Sequence, residues 1–338
     1  MMDIKHLVLH VGVPKTGTSL LQRSLLEIRP QLRRRGIAYV ERWQMYRLKH
    51  RKSWGAYATG PAAGKSAFAA ELRRVVKYEM LRAGGRPRTV LLSNESMIGR
   101  VWPNFGDPYW PRAADGVGEV IGALAPKRTE VVIYVRRQDR LLESMYMQQI
   151  HLGRKLQWDR FIENAGRDDR IRYRDLLEVI ANVPTVENIR IRPFEIIGGG
   201  AVPFVADFLA DFGVEDLISF ITNFDRNNAS YTQPALEAAL QVNPHLRTQE
   251  ERRNMMEFLK EMFPPEDYPK AALLTKQERR RILEIYNSAN QALFRDYLPG
   301  YPVDSYLSQK ATRRLGATLE PLDVAPVSDN RRKLRNRR

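Results

Sequence analysis

Residues 7–28 read LVLHVGVPKTGTSLLQRSLLEI. A mostly apolar run, Leu7 to Val11, enters a loop with glycines at 12 and 17. The loop passes into a segment whose Leu20, Leu21, Leu25 and Ile28 fall on one helical face. Strand, glycine loop and helix in this order make a phosphate-gripping unit, in which backbone N–H groups and the helix N-terminus face an anion. The glycine spacing is that of G-x-x-x-x-G-K-[ST], but Thr18 stands where that motif has its lysine, and Lys15 comes three residues earlier. In a nucleoside triphosphatase the later lysine reaches the terminal phosphates, and a strand-end aspartate helps to hold magnesium. The sequence offers neither feature, so the loop reads as a grip for a different phosphate-like group.

Three further runs have strand character: TVLLS at 89–93, EVVIYV at 130–135 and NIRIR at 188–192. LVLHV and the first two of these are nearly continuous apolar runs, as expected of parallel strands covered on both faces. After the third run Leu141, Leu142, Met145 and Ile150 repeat at helical spacing, and YRDLLEVIA at 173–181 reads as a helix leading into the fourth. From about residue 203 to 310 the pattern is almost wholly helical, and Gly198 to Gly200 read as a turn just before it. The fold class is therefore α/β, a P-loop-like parallel sheet flanked by helices, with helical insertions and a mostly helical C-terminal lobe. No Gly/Ser/Pro-rich linker divides residues 1–330, which read as one domain before a basic tail at 331–338. A second glycine pair, GPAAGKS at 60–66, has only three residues between Gly60 and Gly64 and no strand before it; it reads as a surface loop or helix start.

Hydrophobic residues make up 43% of the 338, enough for a substantial core. No run reaches the ~18 apolar residues of a membrane span, and the N-terminus lacks the pattern of a signal peptide; a cytoplasmic protein is the expectation. The absence of cysteine excludes disulfides and thiolate metal sites. The net charge of +16 favours anionic partners. Six basic residues lie in the tail RRKLRNRR, which reads as a solvated end able to touch an anionic membrane peripherally. None of the helix-turn-helix, zinc-finger or RNA-binding patterns appears, so nucleic acid is not an expected partner. The sequence does not speak to oligomeric state.

In an open parallel sheet, ligands bind at the carboxyl ends of the strands. Those ends deliver Gly12 to Ser19, then Ser93-Asn94-Glu95, then Arg136-Arg137, then Arg192-Pro193-Phe194-Glu195. In the loop Thr16, Thr18 and Ser19 add hydroxyls. At the third end Asp139 reads as a helix N-cap, and Ser144 follows Arg136 by eight residues. An arginine and a hydroxyl together suit a phosphate monoester.

Two of these motifs together resemble the sulfotransferases that use 3′-phosphoadenosine 5′-phosphosulfate (PAPS). The 5′-phosphosulfate loop of that family is similar to Pro14-Lys15-Thr16-Gly17-Thr18-Ser19, and its 3′-phosphate element is similar to Arg136 with Ser144. The RRQD…S-x-Y-x-Q wording of 136–148, the Arg-Pro-Phe-Glu at 192–195 and the following DFLADFG look like bacterial members acting on carbohydrates. The resemblance implies PAPS as co-substrate without a metal, Lys15 near the oxygen bridging phosphate and sulfur, and a general base drawn from glutamate or histidine. Glu95 is the first candidate for that base; His10, the competitor, reads first as a buried strand histidine supporting the loop, and His151 as an end-of-helix residue. The chain departs from the family's eukaryotic cytosolic pattern in having Arg137-Gln138 for Asn-Pro and in lacking a C-terminal Arg-Lys-Gly element. Asn227 to Tyr231 is a further candidate to approach the nucleotide. Trp43, Tyr46, Trp54 and Tyr57 read either as aromatics of a helix packed on the core or as sugar-stacking faces for an acceptor. The expectation is sulfuryl transfer to a hydroxyl or amine of a carbohydrate or glycan-bearing molecule. The alternatives are a P-loop kinase-like phosphotransferase and a polyanion-binding protein.

Overall fold

The computed structural model describes residues 2–54, 64–98, 110, 112–165, 170–224 and 230–307. Tyr57, Gly60, Asn227 and the tail at 331–338 lie outside the described residues; Gly64 opens the helix Gly64–Arg82. Five strands, β1 (His6–His10), β2 (Ile37–Val40), β3 (Thr89–Ser93), β4 (Arg128–Val135) and β5 (Val186–Pro193), form one sheet in the order β2-β3-β1-β4-β5. Every pairing is parallel. This is the expected α/β sheet with one strand more than the sequence suggested: β2, the four residues IAYV, is too short to show a period, yet all four are buried.

The chain goes from β1 to the edge strand β2, returns to place β3 between them, then crosses to the other side of β1 for β4. The order reverses between β1 and β4, which is where a crevice opens at the carboxyl edge of such sheets. Pleating sends alternate side chains to opposite faces. Leu7 and Leu9 of β1 join the core under the helices Gly64–Arg82, Ala113–Leu124 and Tyr173–Ala181, whereas Val8, Val132 and Tyr134 meet Leu21 and Leu25 of the helix Thr18–Glu27 and Phe204 and Phe208 of the helix Ala201–Ala210. The 3-10 turn Phe194–Gly199 precedes that last helix, where the sequence suggested a glycine turn. Beyond it, the helices Gln233–Val242, Gln249–Met262, Lys276–Ile285 and Asn287–Tyr297 occupy the expected C-terminal stretch, with a break at Tyr286 in what the sequence showed as one helical run. No described helix is long and apolar enough to cross a membrane.

Candidate active site

The loop between β1 and the helix Thr18–Glu27 is shaped by two left-handed residues, Lys15 (φ 67°) and Gly17 (φ 79°). Glycine adopts that conformation freely; for lysine it costs about 1–2 kcal/mol, and such strain concentrates where geometry matters for function. Gly12 is required by close approach: a Cβ there would lie 2.5 Å from Thr18 Oγ1 and 3.1 Å from Glu95 Cβ. Thr16 Oγ1 donates to the Val13 carbonyl at 2.6 Å, which closes the loop on itself. In this arrangement its hydroxyl proton is used within the loop. Thr18 Oγ1 is buried and has no hydrogen-bond partner among the described residues, and Ser19 is exposed.

Pro14, Lys15, Gly17, Thr18 and Ser19 line a cavity of about 1550 Å³, together with Glu95, Arg136 and Ser144. Thr16 and His10 are not part of that lining. The cavity sits at the carboxyl edge of the sheet, and ten basic side chains line it against two acidic ones, so its field favours a multiply charged anion. Several of the ten are matched locally: Arg42 pairs with Glu95 at 2.6 Å, Arg140 with Glu143 at 3.2 Å, and Arg279 holds Glu143 at 2.8 Å and Asp139 at 2.6 Å. Lys15 has no carboxylate partner among the described residues. Burial first, then Arg136 and Lys260, hold its ammonium below the usual lysine value. Net desolvated positive charge is thus present at the loop before any ligand arrives.

Of the paired arginines at the end of β4, only Arg136 reaches the cavity. Its guanidinium donates to the Lys15 carbonyl at 2.7 Å and lies over the Phe194 ring at 4.8 Å. Tyr173 donates its hydroxyl to the Arg136 carbonyl. Arg137 instead turns inward and grips Asp139 through two bonds of 2.7 and 3.0 Å, fully buried. Asp139 is consequently not the N-cap expected from the sequence; Arg137 occupies that position, and Asp139 lies in the first turn of the helix Gln138–His151. Arg192 likewise leaves the site for Asp207 and Asp211, and Glu195 is buried, accepting from the Arg137 amide at 2.9 Å and the Tyr306 hydroxyl at 2.7 Å. Ser144 faces the cavity on the same helix, with Arg140 one turn before it.

The structure also brings in residues that carried no sequence signal. Arg252, Arg253 and Lys270 reach the cavity from the C-terminal helices and the segment between them. Burial, followed by Arg136 and Arg140, lowers the Lys270 ammonium, which marks these three cations as mutual neighbours. His151 ends its helix as expected but also lines the cavity, with its ring edge-on to Tyr231 at 4.1 Å between centroids. Only Arg140 was recoverable in advance, since it lies four residues from both Arg136 and Ser144.

Glu95 follows β3 and points into the cavity, where Gln22 Nε2 donates to its second oxygen at 3.3 Å. The same amide donates to the Ser93 carbonyl at 3.1 Å, and Ser93 Oγ contacts His10 Nδ1 at 2.8 Å. His10 is even-numbered on β1 and so faces the Tyr134 and Phe208 rings, at 5.8 and 5.3 Å. It stands behind Ser93, out of the cavity. Burial, and then Arg192, pushes its pKa down to about 3. A histidine at that value in the fold and near 6.5 when unfolded stabilises fully above pH ~6.5 and progressively less as pH falls toward 3. Between pH 7 and 4.5 that loss amounts to roughly 2–3 kcal/mol. In urea titrations at those two pH values, His10→Gln should therefore lose about 2 kcal/mol less than the wild type. Equal losses would contradict a neutral, buried His10.

The aromatic residues divide. Trp54 is core, donating to the Gly116 carbonyl at 2.8 Å and stacked on Phe68, so it offers no face to an acceptor. Tyr46 lines the cavity beside Glu95, its hydroxyl 2.6 Å from Ser96 Oγ, with the Arg42 guanidinium 4.9 Å above its ring; Trp43 next to it is exposed. Among the described residues, no group of three or more His, Asp or Glu side chains is placed to hold a metal ion.

No family model matches this chain, and no curated protein matches it. Among solved structures it is similar to the crystal structure of a sulfotransferase from Alicyclobacillus acidocaldarius, at 17% identity over 73% of this chain and 98% of that one, with a TM-score of 0.35. A likeness of that degree assigns neither activity nor substrate. The class of protein that the fold and cavity define is an α/β protein with a cation-lined crevice at the carboxyl edge of a parallel sheet.

Proposed function

We propose that this chain is a sulfotransferase that moves a sulfuryl group from PAPS to a hydroxyl or amine of a carbohydrate or glycan-bearing acceptor. The observation that carries this reading is the meeting of the strained Lys15 loop with Arg136 and Ser144 on one cation-rich cavity. The residues present fit such a donor. Loop amides and the buried, unpartnered Thr18 hydroxyl suit the 5′ end, and Arg136 and Ser144 suit the 3′-phosphate. Arg140 and Lys270 add positive charge beside Arg136, where the C-terminal element of related enzymes has no counterpart in this sequence. PAPS, when bound, supplies a sulfuryl group joined to phosphate through a bridging oxygen.

Lys15 neutralises the negative charge that grows on the phosphate side as the sulfur–oxygen bond breaks, a contribution larger in the transition state than in the ground state. Glu95 takes the acceptor proton. Its direction is set by Arg42 at 2.6 Å and Gln22 at 3.3 Å, so the carboxylate is oriented before the acceptor arrives. Tyr46 and Arg42 line the Glu95 side of the cavity, where the acceptor would sit.

Incubation with donor carrying labelled sulfur and a panel of amino sugars, uronic acids and neutral oligosaccharides tests the reading. Label should pass to an acceptor without added ATP. Transfer of the γ-phosphate of ATP to the same acceptors, with no sulfur transfer, would support the kinase-like alternative instead. Glu95→Gln should lower kcat by about 10²–10⁴-fold, the usual worth of a general base, with nucleotide affinity within about twofold of wild type. A fall in nucleotide affinity with kcat preserved would remove Glu95 from the proton-transfer role.

A further inference from the structure

A second cavity, of about 460 Å³, lies past the end of the helix Gln138–His151. Its body is apolar, formed by Leu156, Phe161, Ala165 and Leu246, and its rim carries Arg154 and Arg252, which also line the large cavity. Such a size, with an apolar body and a few converging polar groups, is what a small-molecule site has. It stands apart from the Lys15 loop, Arg136 and Glu95, none of which lines it.

The rim is built rather than incidental. Gly153 is left-handed (φ 74°), and a Cβ there would fall 2.5 Å from Arg252 Cγ and Cδ, so the arginine stem lies directly on bare glycine backbone. Arg252 donates to the Leu246 carbonyl at 3.4 Å, while its Nε is buried with no partner among the described residues. Neither Arg154 nor Arg252 has a carboxylate partner among the described residues. Two unneutralised guanidinium groups at the mouth of an apolar hollow complement one kind of ligand: an apolar body ending in an anion.

We infer that this second cavity is a binding site for a small anionic amphiphile, an aryl or short alkyl group bearing a sulfonate, sulfate or carboxylate, with the apolar part in the hollow and the charge between Arg154 and Arg252. The apolar part contributes affinity through burial, and the arginine pair fixes orientation. The inference does not depend on the identity of the nucleotide in the large cavity.

Calorimetric titration of the full chain with naphthalene-2-sulfonate tests it, beside inorganic sulfate and 2-naphthol as probes of each half alone. The sulfonate should bind more tightly than either. Ala165→Phe and Leu246→Trp, which fill the hollow from two different elements, should each weaken it by about tenfold or more, equivalent to about 1.4 kcal/mol. Arg154→Gln, at an exposed position, should weaken it by about threefold and leave 2-naphthol unaffected. Circular dichroism melts confirm that the filled variants are folded. No binding of the sulfonate to the wild type overturns the site. Unchanged affinity in both folded, filled variants, or inorganic sulfate binding as tightly as the sulfonate, does the same.

Discussion

Replacing Lys15 with alanine is expected to lower kcat for sulfuryl transfer by about 10²–10³-fold, the loss seen when one preorganised electrostatic group is removed from a developing charge. Affinity for adenosine 3′,5′-bisphosphate should fall by about tenfold or less, because the extra charge that Lys15 meets exists only as the sulfur–oxygen bond breaks. The backbone supports this division. Lys15 is held left-handed at φ 67°, and its carbonyl is fixed by Arg136 at 2.7 Å, so the backbone that carries the side chain is set before a ligand arrives. The environment adds a pH signature. Burial, Arg136 and Lys260 lower the Lys15 pKa in the free protein. In the proposed reaction the charged form is the active one, so kcat/KM, which reports the free enzyme, should decline on the alkaline side below the pH at which an ordinary lysine deprotonates. Lys15→Ala should abolish that decline. Single-turnover rates across pH, with calorimetry for the bisphosphate, measure both parts; a kcat within a few-fold of wild type would remove Lys15 from the chemistry.

Arg136→Ala should weaken adenosine 3′,5′-bisphosphate by about 100-fold. Hydrogen bonds to charged groups contribute about 1.5–3 kcal/mol, and this arginine is partly buried on the wall of the cavity. Its loss should also reduce kcat, since the same guanidinium restrains the Lys15 carbonyl. Ser144→Ala separates the two effects: the hydroxyl has no bond to the loop among the described residues, so its removal should cost about tenfold in affinity and little in kcat. If Arg136→Ala and Ser144→Ala weaken binding equally and neither touches kcat, the link from Arg136 to Lys15 is without catalytic consequence.

How much of this was legible in the sequence varies with distance along the chain. β1, its loop and the helix after it lie within 28 residues, and local apolar runs and glycines sufficed. β2 escaped because four residues between an arginine-rich helix and a polar segment carry no periodicity; only its place beside β3 makes it a strand. Side-chain direction at the strand ends was harder. Arg136 and Arg137 are adjacent and chemically identical, and the turn from β4 into the helix Gln138–His151 sends one to the cavity and the other toward Asp139. Arg192 could not be set aside without knowing that Asp207 and Asp211 come round on the helix Ala201–Ala210 and its cap. His10 shows the same limit, since its neighbours Ser93, Tyr134 and Phe208 are 83 or more residues away. Arg252, Arg253 and Lys270 sit in stretches that read only as helix and turn, and tertiary packing alone directs them inward.

The most direct test is calorimetric titration of the full chain with adenosine 3′,5′-bisphosphate beside ATP with magnesium. Selective, metal-independent binding of the bisphosphate, weakened by Arg136→Ala, is the predicted result. Binding of ATP alone, or of neither nucleotide, would contradict the sulfotransferase reading.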